Sequence, residues 1–598
     1  MYSLIRPTIT ALLLACGSAL HAEITTLAEL EAAFPAAQCT NHNADLQRIA
    51  ESIKDDAMLC TVSSVEGLEF KNCLTIDVRQ PSDTPYYPSV TFTQDFEWKK
   101  GDVGMVAFYA RSVLSESAIG ANGMLMQFKP ESDHWAAYYL KDMCLDTDWQ
   151  LVMAPFEVGF DGVNTSLNLF FGSIEPQVLE LAAVTVYKYN DEVSLAELPR
   201  SKIIYPGQDA DAAWRAAAAE RIEQHRKAQL SLKLVDAHGK PVKNAQVRVE
   251  MTRHAFGFGA AISTERLASP KVPADQRASY AEILKRTCNR ITPENAMKWR
   301  LHEHMKHNVP AMLDWAKAND IEVRGHLFVW PGFERLPDGY NLYKEDPEAF
   351  RQDIIDHIYE FANLFPDSFT EWDVMNEPYT EHDFMDLLGK DVVLDWFKAA
   401  RDANPNYTNY INDYGILSDR DQKHQDVYFD WIQYLVDNDA EIDGIGFQGH
   451  YKSPTPPELI WERLERFAAL GLPMQITEYD FDHPDEDLQA QFTEDFMTIV
   501  FSHPQMTSLV TWTFLENTFR PDGAFYNKDF TPRKVGLVWE RLINETWKTD
   551  ERHGSDKNGE LSLSAFKGDY RITIEHDGKT SEHTVELDQE TELELLIP

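Results

Sequence analysis

Two glutamates, Glu377 and Glu478, are the residues best suited to acid–base chemistry in this chain. Each follows a strand-like run, FTEWDVMNEP over residues 369–378 and LPMQITEYD over residues 472–480. Two carboxyls at strand ends can supply the proton donor and the nucleophile that break a glycosidic bond. A single glutamate after a strand is usually a solvated loop residue, so the interpretation depends on the residues around the pair.

Polar and aromatic side chains follow most of the other strand-like runs in the same part of the chain. Amides, histidine and lysine donate hydrogen bonds to sugar hydroxyls, and aromatic rings stack on sugar faces. An oxocarbenium-like transition state also needs a carboxylate beneath it and a proton donor beside the leaving oxygen. The motifs are TPENAMKW at 292–299, GHLFVW at 325–330, NDY at 412–414, GFQGH at 446–450 and TW at 511–512.

The elements that position these motifs are predicted to form a (β/α)8 barrel, because strand and helix patterns alternate from residue 252 to residue 548. Active sites of such barrels lie at the carboxyl ends of the strands, which is where the motifs fall. The eight predicted strands are His254–Ile262, Cys288–Glu294, Glu322–Val329, Thr370–Asn376, Tyr407–Asn412, Gly444–Gln448, Met474–Glu478 and Ser508–Phe514.

With these motifs in this order, the region from about 229 to 548 resembles glycoside hydrolase family 10, the endo-β-1,4-xylanases. The resemblance implies retaining double displacement, with Glu478 as nucleophile and Glu377 as acid and then base. It implies that Asn376 binds the sugar 2-hydroxyl and that His450 keeps Glu478 ionised, with Gln448 and Tyr414 nearby. Further substrate-binding residues implied are Glu294, Asn295, Lys298, His326, Trp330, Trp512 and Phe519. Glu377 must then be protonated near neutrality, through burial or the charge on Glu478.

The chain departs from the family pattern at three places. Trp330-Pro331-Gly332-Phe333 stands where the family often has Trp-His-x-Gln, so a glycone-side glutamine contact is missing or replaced. Thr513 follows Trp512 where glycine is common, and Phe519 occupies the position of a second tryptophan. The departures leave the chemistry intact and bear on the length and type of glycan that is preferred.

Outside the barrel, the chain is predicted to be multidomain. In residues 23–195, short runs of alternating apolar and polar residues predict an all-β jelly-roll sandwich. The expected function of this module is carbohydrate binding through exposed aromatic rings, and the alternative is that the rings fill the sandwich core. A linker helix and strands are expected over 196–251, and a small β appendage over 549–598 that packs with strands 229–251 or on the barrel. The aromatic candidates are Tyr86, Tyr87, Trp98, Trp135, Tyr138, Tyr139 and Trp149.

Charge and the positions of the cysteines indicate which partners, disulfides and cofactors to expect. With 55 Lys+Arg against 97 Asp+Glu, the net charge is −42, which disfavours nucleic acid and polyanionic substrates. Cys39, Cys60, Cys73 and Cys144 could form two disulfides in three possible pairings. No metal-ligand spacing occurs, so neither a metal nor another cofactor is expected.

Residues 1–22 read as a signal peptide, with Arg6 before a short apolar run and a small-residue cleavage region ending at Ala22. Secretion is the prediction. Leu13-Leu14-Ala15-Cys16 also resembles a lipoprotein box, and the alternative is a lipid anchor at Cys16. No other segment reaches transmembrane length.

Three functions fit the sequence. The first is a secreted, monomeric endo-β-1,4-xylanase acting on plant cell-wall xylan. The second is a retaining barrel glycosidase for another β-1,4-glycan, such as cellulose or mixed-linkage glucan. The third is a catalytically silent carbohydrate-binding protein, against which the presence of both glutamates argues. A serine hydrolase is disfavoured because no Gly-x-Ser-x-Gly elbow occurs.

Overall fold

The structure, a computed structural model, describes residues 24–54, 56–80, 82, 86–115, 123–130, 138–145, 147–172, 176–418, 421–517 and 520–597. The predicted signal peptide, with Cys16, lies outside these residues, as does Phe519. Across the described ranges, no helix is both long and apolar enough to cross a membrane.

Two antiparallel sheets form the N-terminal region, as the alternating runs predict. Its elements are α1 (Leu27–Ala33), β1 (Gln38–Asn41), α2 (Leu46–Ser52), β2 (Met58–Ser64), β3 (Asn72–Val78), β4 (Ser89–Gln94), β5 (Val103–Ser115), β6 (Gly123–Pro130), β7 (Tyr138–Cys144), β8 (Gln150–Glu157), β9 (Thr165–Phe170) and β10 (Gln177–Lys188). One sheet has the order β2-β3-β10-β5-β8, with β1 also paired to β10, and the other has the order β4-β9-β6-β7. Phe92, Phe128 and Leu179 belong to one buried cluster that both sheets supply.

The cysteines of this region do not form the two disulfides that were considered. Cys39, Cys60 and Cys73 all carry free thiols. Cys60 and Cys73 lie on paired strands, but Cys60 is opposite Ile76 and Cys73 is opposite Ser63. The register of β2 and β3 therefore keeps the two sulfurs apart, and burial raises the pKa of the Cys60 thiol to about 12.

The aromatic candidates for sugar stacking divide into core and surface residues. Trp98 is fully buried among phenylalanines of the sandwich core. Trp149 is half-buried against Phe70 and under the guanidinium of Arg111. Tyr86 and Tyr87 are about half exposed, at 52% and 49%. The side chains of Trp135, Tyr138 and Tyr139 lie outside the described set.

The predicted linker helix exists, but it is fixed to the barrel and does not run free between domains. This helix is α3 (Ala213–Arg226), and it is followed by β11 (Lys227–Val235) and β12 (Gln246–His254). Trp214, Ala218 and Ile222 are buried. Arg215 forms an ion pair with Asp495 of the barrel, 2.6 Å between nitrogen and oxygen. Sequence periodicity could not show this contact, because the partner lies 280 residues further on.

Eight parallel strands close the barrel, and each overlaps one of the predicted strands. They are β13 (Gly257–Ile262), β14 (Arg290–Pro293), β15 (Glu322–Gly325), β16 (Glu371–Asn376), β17 (Thr408–Asp413), β18 (Gly444–Phe447), β20 (Met474–Phe481) and β21 (Met506–Thr511), with the two-residue strand β19 (His450–Tyr451) beside β20. Neighbours in sequence pair in parallel, and β21 returns to β13 to close the ring. His254 belongs to β12 and not to the first barrel strand, which corrects that predicted boundary.

The helices around the barrel bury their apolar faces on the strands. They are α4 (Thr264–Ala268), α5 (Ala274–Thr287), α6 (Trp299–Met305), α7 (Val309–Ala318), α8 (Leu342–Glu345), α9 (Pro347–Leu364), α10 (Asp383–Leu388), α11 (Val392–Ala403), α12 (Gln422–Asp437), α13 (Pro457–Ala468), α14 (Glu486–Ser502) and α15 (Lys534–Arg541). In α9, for example, Phe350, Ile354, Ile358 and Phe361 recur at helical spacing and are all buried.

The C-terminal segment pairs with the strands that precede the barrel. Its strands are β22 (Asp550–Gly554), β23 (Glu560–Phe566), β24 (Gly568–His576), β25 (Lys579–Leu587) and β26 (Thr591–Leu596). Strand β11 lies between β23 and β26, and β12 lies between β22 and β24. The appendage therefore shares two sheets with residues 227–254, which is the first of the two placements expected from the sequence. A segment this short cannot bury a core alone.

Candidate active site

A cleft at the carboxyl-terminal rim of the barrel brings the two glutamates together. Glu377 directly follows β16, and Glu478 lies within β20. Both side chains line a cavity of about 400 Å³. The other residues of its wall are Lys298, His326, Trp330, Tyr414, Gly415, Ser418, Gln448, His450, Lys452, Trp512 and Arg520.

Glu377 is held by two donors in an unusual backbone conformation. Its φ angle is 55°, a left-handed value that costs a non-glycine residue about 1–3 kcal/mol and is typical of functional sites. The Trp330 indole donates to Oε2 at 3.2 Å, and the Gln448 amide donates to Oε1 at 2.9 Å. Burial raises the pKa of Glu377 to about 7; the Gln448 bond opposes this rise, and the charge on Glu478 adds to it. The carboxyl is therefore substantially protonated near neutrality.

Glu478 is held in the opposite protonation state. Burial alone would raise its pKa, but a hydrogen bond from His450 and nearby positive charge lower the pKa to about 2. The Nε2 atom of His450 is 3.3 Å from Oε2, and the Asn412 amide donates to Oε1 at 2.9 Å. Glu478 is thus an ionised, buried carboxylate with both oxygens in contact with donors.

His450 acts on Glu478 because a third group holds the ring. Its Nδ1 atom lies 3.0 Å from Oδ1 of Asp480, a residue with no exposed side-chain surface. Asp480 also accepts from Arg520 at 2.8 Å and from the Thr513 hydroxyl at 3.0 Å. Burial alone would lower the pKa of His450, but the charge and hydrogen bond of Asp480 raise it to about 9. The ring is therefore charged at neutral pH.

Predicted binding residues near the two carboxyls fall into two hydrogen-bonded groups. In the first, the Asn376 Oδ1 atom accepts from Asn412 at 2.9 Å; the Asn376 side chain is buried and is not among the residues that line the cleft. Asn295 donates to Glu294 and accepts from the Lys298 ammonium, both at 3.0 Å. Of these three residues, Lys298 lines the cleft, whereas Glu294 and Asn295 do not.

The aromatic members of the wall lie on both sides of Lys298. Its ammonium is 5.4 Å from the ring centroids of both Trp330 and Trp512. His326 meets Trp512 edge to face at 5.2 Å, and its Nδ1 lies 2.9 Å from Asp373. The Tyr414 hydroxyl reaches Thr380 at 3.4 Å. These rings and donors suit a ligand with alternating apolar faces and hydroxyls.

Sequence reasoning missed some of the residues that line or support the cleft. Lys452 and Arg520 line it, and Asn412 bridges Asn376 and Glu478. Asn412 belongs to the NDY motif at 412–414, and its position at the end of a predicted barrel strand is the signal that could have identified it as a site residue. No sequence motif surrounds Arg520, so only the fold shows that it reaches Asp480.

A buried network of ion pairs inside the barrel supports the site. Arg324 has no exposed side-chain surface and binds Glu371 at 2.9 Å and also Asp373. Arg290 binds Glu371 from the other side at 2.8 Å. Burial would raise the pKa of Glu371, but these two arginines lower it. Because Asp373 also holds His326, the network fixes one residue of the cleft wall.

Fold and site together define a (β/α)8-barrel protein with a protonated and an ionised carboxyl in one cleft. Comparison with known families agrees, because residues 248–537 match the model of glycosyl hydrolase family 10. This part of the chain is a glycosyl hydrolase family 10 domain.

Curated relatives resemble between 44% and 61% of this chain. The anti-sigma-I factor RsgI6 of Acetivibrio thermocellus is 30% identical over 61% of this chain and 47% of its own length. Endo-1,4-beta-xylanase 1 of Arabidopsis thaliana is 26% identical over 58% of this chain and 36% of its own. A beta-1,4-xylanase of Dictyoglomus thermophilum is 28% identical over 44% of this chain and 78% of its own. The chain thus spans less than half the length of the first two relatives.

Solved structures that resemble the chain cover about half of it. Xylanase 10B from Thermotoga petrophila in complex with xylobiose is 23% identical, with a TM-score of 0.43 over 49% of this chain and 95% of that chain. Native xylanase 10B from Thermotoga maritima is 24% identical, with a TM-score of 0.42 over 49% and 97%.

Proposed function

We propose that the protein is an endo-acting, retaining glycoside hydrolase that cleaves internal β-1,4-xylosidic bonds of xylan. Glu478 is the nucleophile and Glu377 is the general acid and then the general base. The observation that carries the proposal is the opposed protonation of two carboxyls in one cleft, with pKa values of about 7 for Glu377 and about 2 for Glu478. Paired carboxyls with pKa values driven apart are the usual sign of an acid and a nucleophile.

The proposed reaction has two displacements. In the first, Glu478 attacks the anomeric carbon while the protonated Glu377 gives its proton to the leaving glycosidic oxygen. In the second, the now ionised Glu377 takes a proton from water, which attacks the glycosyl ester and releases Glu478. The charged His450 stabilises Glu478 as an anion before attack and as a leaving group afterwards.

Xylan is proposed as substrate because two of the relatives described above are called xylanases. The cleft itself offers Lys298 and His326 to hydroxyl groups and two tryptophan rings to sugar faces. These groups fit any neutral β-1,4-glycan, so a β-1,4-glucan is the alternative that the assay must separate.

The deciding experiment compares the wild-type protein with Glu377→Gln and Glu478→Gln on arabinoxylan, glucuronoxylan and cellulose. Reducing-end release from xylan should exceed release from cellulose, and each variant should lose at least about 10³-fold in kcat. Glu462→Gln is the matched control, since Glu462 is exposed on the outer helix α13. Near-normal turnover by either cleft variant would reject the assignment, and preference for cellulose would select the glucanase.

We further propose that the N-terminal sandwich binds glycan chains. Support comes from Tyr86 and Tyr87, two adjacent rings that remain half exposed beside β4. Tyr86 also meets Phe170 of β9 edge to face at 5.6 Å, which fixes one edge of its ring. Exposed tyrosines of this kind can stack on sugar rings.

Retention on insoluble xylan tests this second proposal. The double variant Tyr86→Ala/Tyr87→Ala should bind less of the polysaccharide, while hydrolysis of soluble oligosaccharides stays unchanged. Tyr359→Ala is the matched control, because Tyr359 is a partly exposed ring on the barrel helix α9. Equal retention of the wild-type protein and the double variant would reject the sandwich as the binding site.

A further inference from the structure

The Trp330-Pro331-Gly332-Phe333 segment departs from the family pattern, and the structure shows what occupies the space. A Cβ atom at Gly332 would lie 1.8 Å from Oε2 of Glu381, so a side chain there would displace the carboxylate from this position. The segment is otherwise firmly anchored: the Phe333 amide donates to Asp383 at 2.8 Å, and its ring stacks on Tyr343 at 4.0 Å. Gly332 therefore admits Glu381 to a position that a side chain would close.

Glu381 uses that position to hold Arg335. The Nε and Nη2 atoms of Arg335 donate to one oxygen of Glu381 at 2.9 and 2.6 Å. The Glu381 carboxylate is only 16% exposed, so water screens the pair less than it screens a surface ion pair. The guanidinium is thereby fixed, with its central carbon 4.1 Å from the ring centroid of Trp330.

These contacts form a closed circuit around Glu377. The Trp330 indole donates to the Glu377 carboxyl at 3.2 Å. The Glu381 backbone amide donates to the carbonyl oxygen of Glu377 at 2.9 Å. The ring of contacts is therefore complete: Trp330 bonds to Glu377, Arg335 covers Trp330, Glu381 pairs with Arg335, and the Glu381 backbone bonds to that of Glu377. A planar guanidinium on one indole face limits rotation of the ring and so fixes the direction of its N–H.

We infer that Arg335 and Glu381 are positioning residues for the general acid, and that they act by clamping Trp330 so that its indole N–H holds the Glu377 carboxyl toward the leaving oxygen. The inference rests on the proposed function, since it gives these residues a part in that reaction. It also accounts for Gly332, whose lack of a side chain is what the Glu381 carboxylate requires.

A role in positioning the acid can be separated from a general structural role by the leaving group. An unactivated xylo-oligosaccharide leaves as a basic alkoxide and needs the proton from Glu377. A 2,4-dinitrophenyl xylobioside leaves as a stable phenolate and needs almost none. The parameter kcat/KM reports the first displacement for both substrates. Disorder of the whole cleft would slow both, whereas loss of acid alignment slows only the first.

The experiment measures kcat/KM on both substrates for the wild-type protein, Arg335→Met, Glu381→Gln and Gly332→Ala. Trp330→Phe is compared on the oligosaccharide alone, because it removes the indole N–H but also changes a ring of the sugar-binding wall. For Arg335→Met, Glu381→Gln and Gly332→Ala, the inference predicts a loss of about tenfold or more on the oligosaccharide and less than about twofold on the dinitrophenyl glycoside.

Arg466→Met is the matched control. Arg466 also pairs with a carboxylate, Asp426, at 2.6 Å and also lies over an aromatic ring, that of Phe429, at 5.0 Å, but on the outer helices. Arg466→Met should change kcat/KM on neither substrate. Because Glu381→Gln is isosteric, it keeps the test decisive if Arg335→Met fails to fold. Equal losses on both substrates, or no loss in Arg335→Met and Glu381→Gln, would overturn the inference. Absence of wild-type activity on either glycoside would instead reject the proposed function.

Discussion

The Nε2 atom of His450 lies 3.3 Å from Oε2 of Glu478, and both side chains are almost fully enclosed at the barrel rim. The contact joins a cation whose pKa is raised to about 9 to an anion whose pKa is lowered to about 2. Each group stabilises the charge of the other, so an ionised Glu478 and a protonated Glu377 coexist between about pH 2 and pH 7.

Replacing His450 should therefore move the acid limb of the pH–rate profile. In His450→Gln the cation is lost, while burial continues to favour the neutral carboxyl, so the pKa of Glu478 should rise. Activity should then be lost as pH falls through about 5, where the wild-type protein retains an ionised Glu478. The measurement is kcat/KM against pH. The control is His382→Gln, which removes an exposed histidine 2.7 Å from Asp386. An unchanged acid limb in His450→Gln would contradict the role assigned to this contact.

Replacing Gln448 should move the basic limb of the pH–rate profile to higher pH. The Gln448 amide donates to Glu377 and favours its ionised form, so its loss in Gln448→Met should raise the pKa of Glu377 above about 7. Because the acid must be protonated, the basic limb should shift to higher pH by about one unit, the equivalent of one hydrogen bond to a charged group. A shift to lower pH would show that Gln448 acts on another group.

Arg324 should be a large contributor to stability. Arg324→Met leaves Glu371 and Asp373 buried with one partner fewer, which should lower the free energy of unfolding by about 3–5 kcal/mol. Denaturant titration measures this loss. Arg351→Met is the control, because its ion pair with Asp395 is exposed and should contribute about 1 kcal/mol or less. Equal effects of the two variants would contradict the buried network.

Arg226 should fix the helix that precedes the barrel. Its guanidinium donates to the carbonyl oxygens of Phe501, His503 and Met506 at 2.6, 2.5 and 2.7 Å. Arg226→Met leaves these oxygens without that donor and should cost about 2–4 kcal/mol. Limited proteolysis should then cut near residues 196–212 faster than in Glu220→Gln, an exposed change on the same helix. Unchanged cleavage would mean that apolar contacts alone hold α3.

The sequence predicted the barrel strands and the two glutamates because both depend on local patterns. A buried parallel strand is an apolar run with a polar end, and the polar ends coincide with one rim. The docking of α3 could not be predicted, since Asp495 is far along the chain from Arg215. The contacts that hold Trp330 could not be predicted either, because a glycine at 332 does not indicate that the Glu381 carboxylate occupies the space beside it. Free thiols in the sandwich follow from strand register, which composition does not specify.

The stereochemistry of hydrolysis tests the central claim most directly. Proton NMR of wild-type protein with xylohexaose, recorded within the first minutes, follows the anomeric signals before mutarotation. With Glu478 as nucleophile and Glu377 as acid and base, the β-anomer of the product should appear first and the α-anomer only later. First appearance of the α-anomer would mean direct attack by water, and would contradict the roles assigned to both carboxyls.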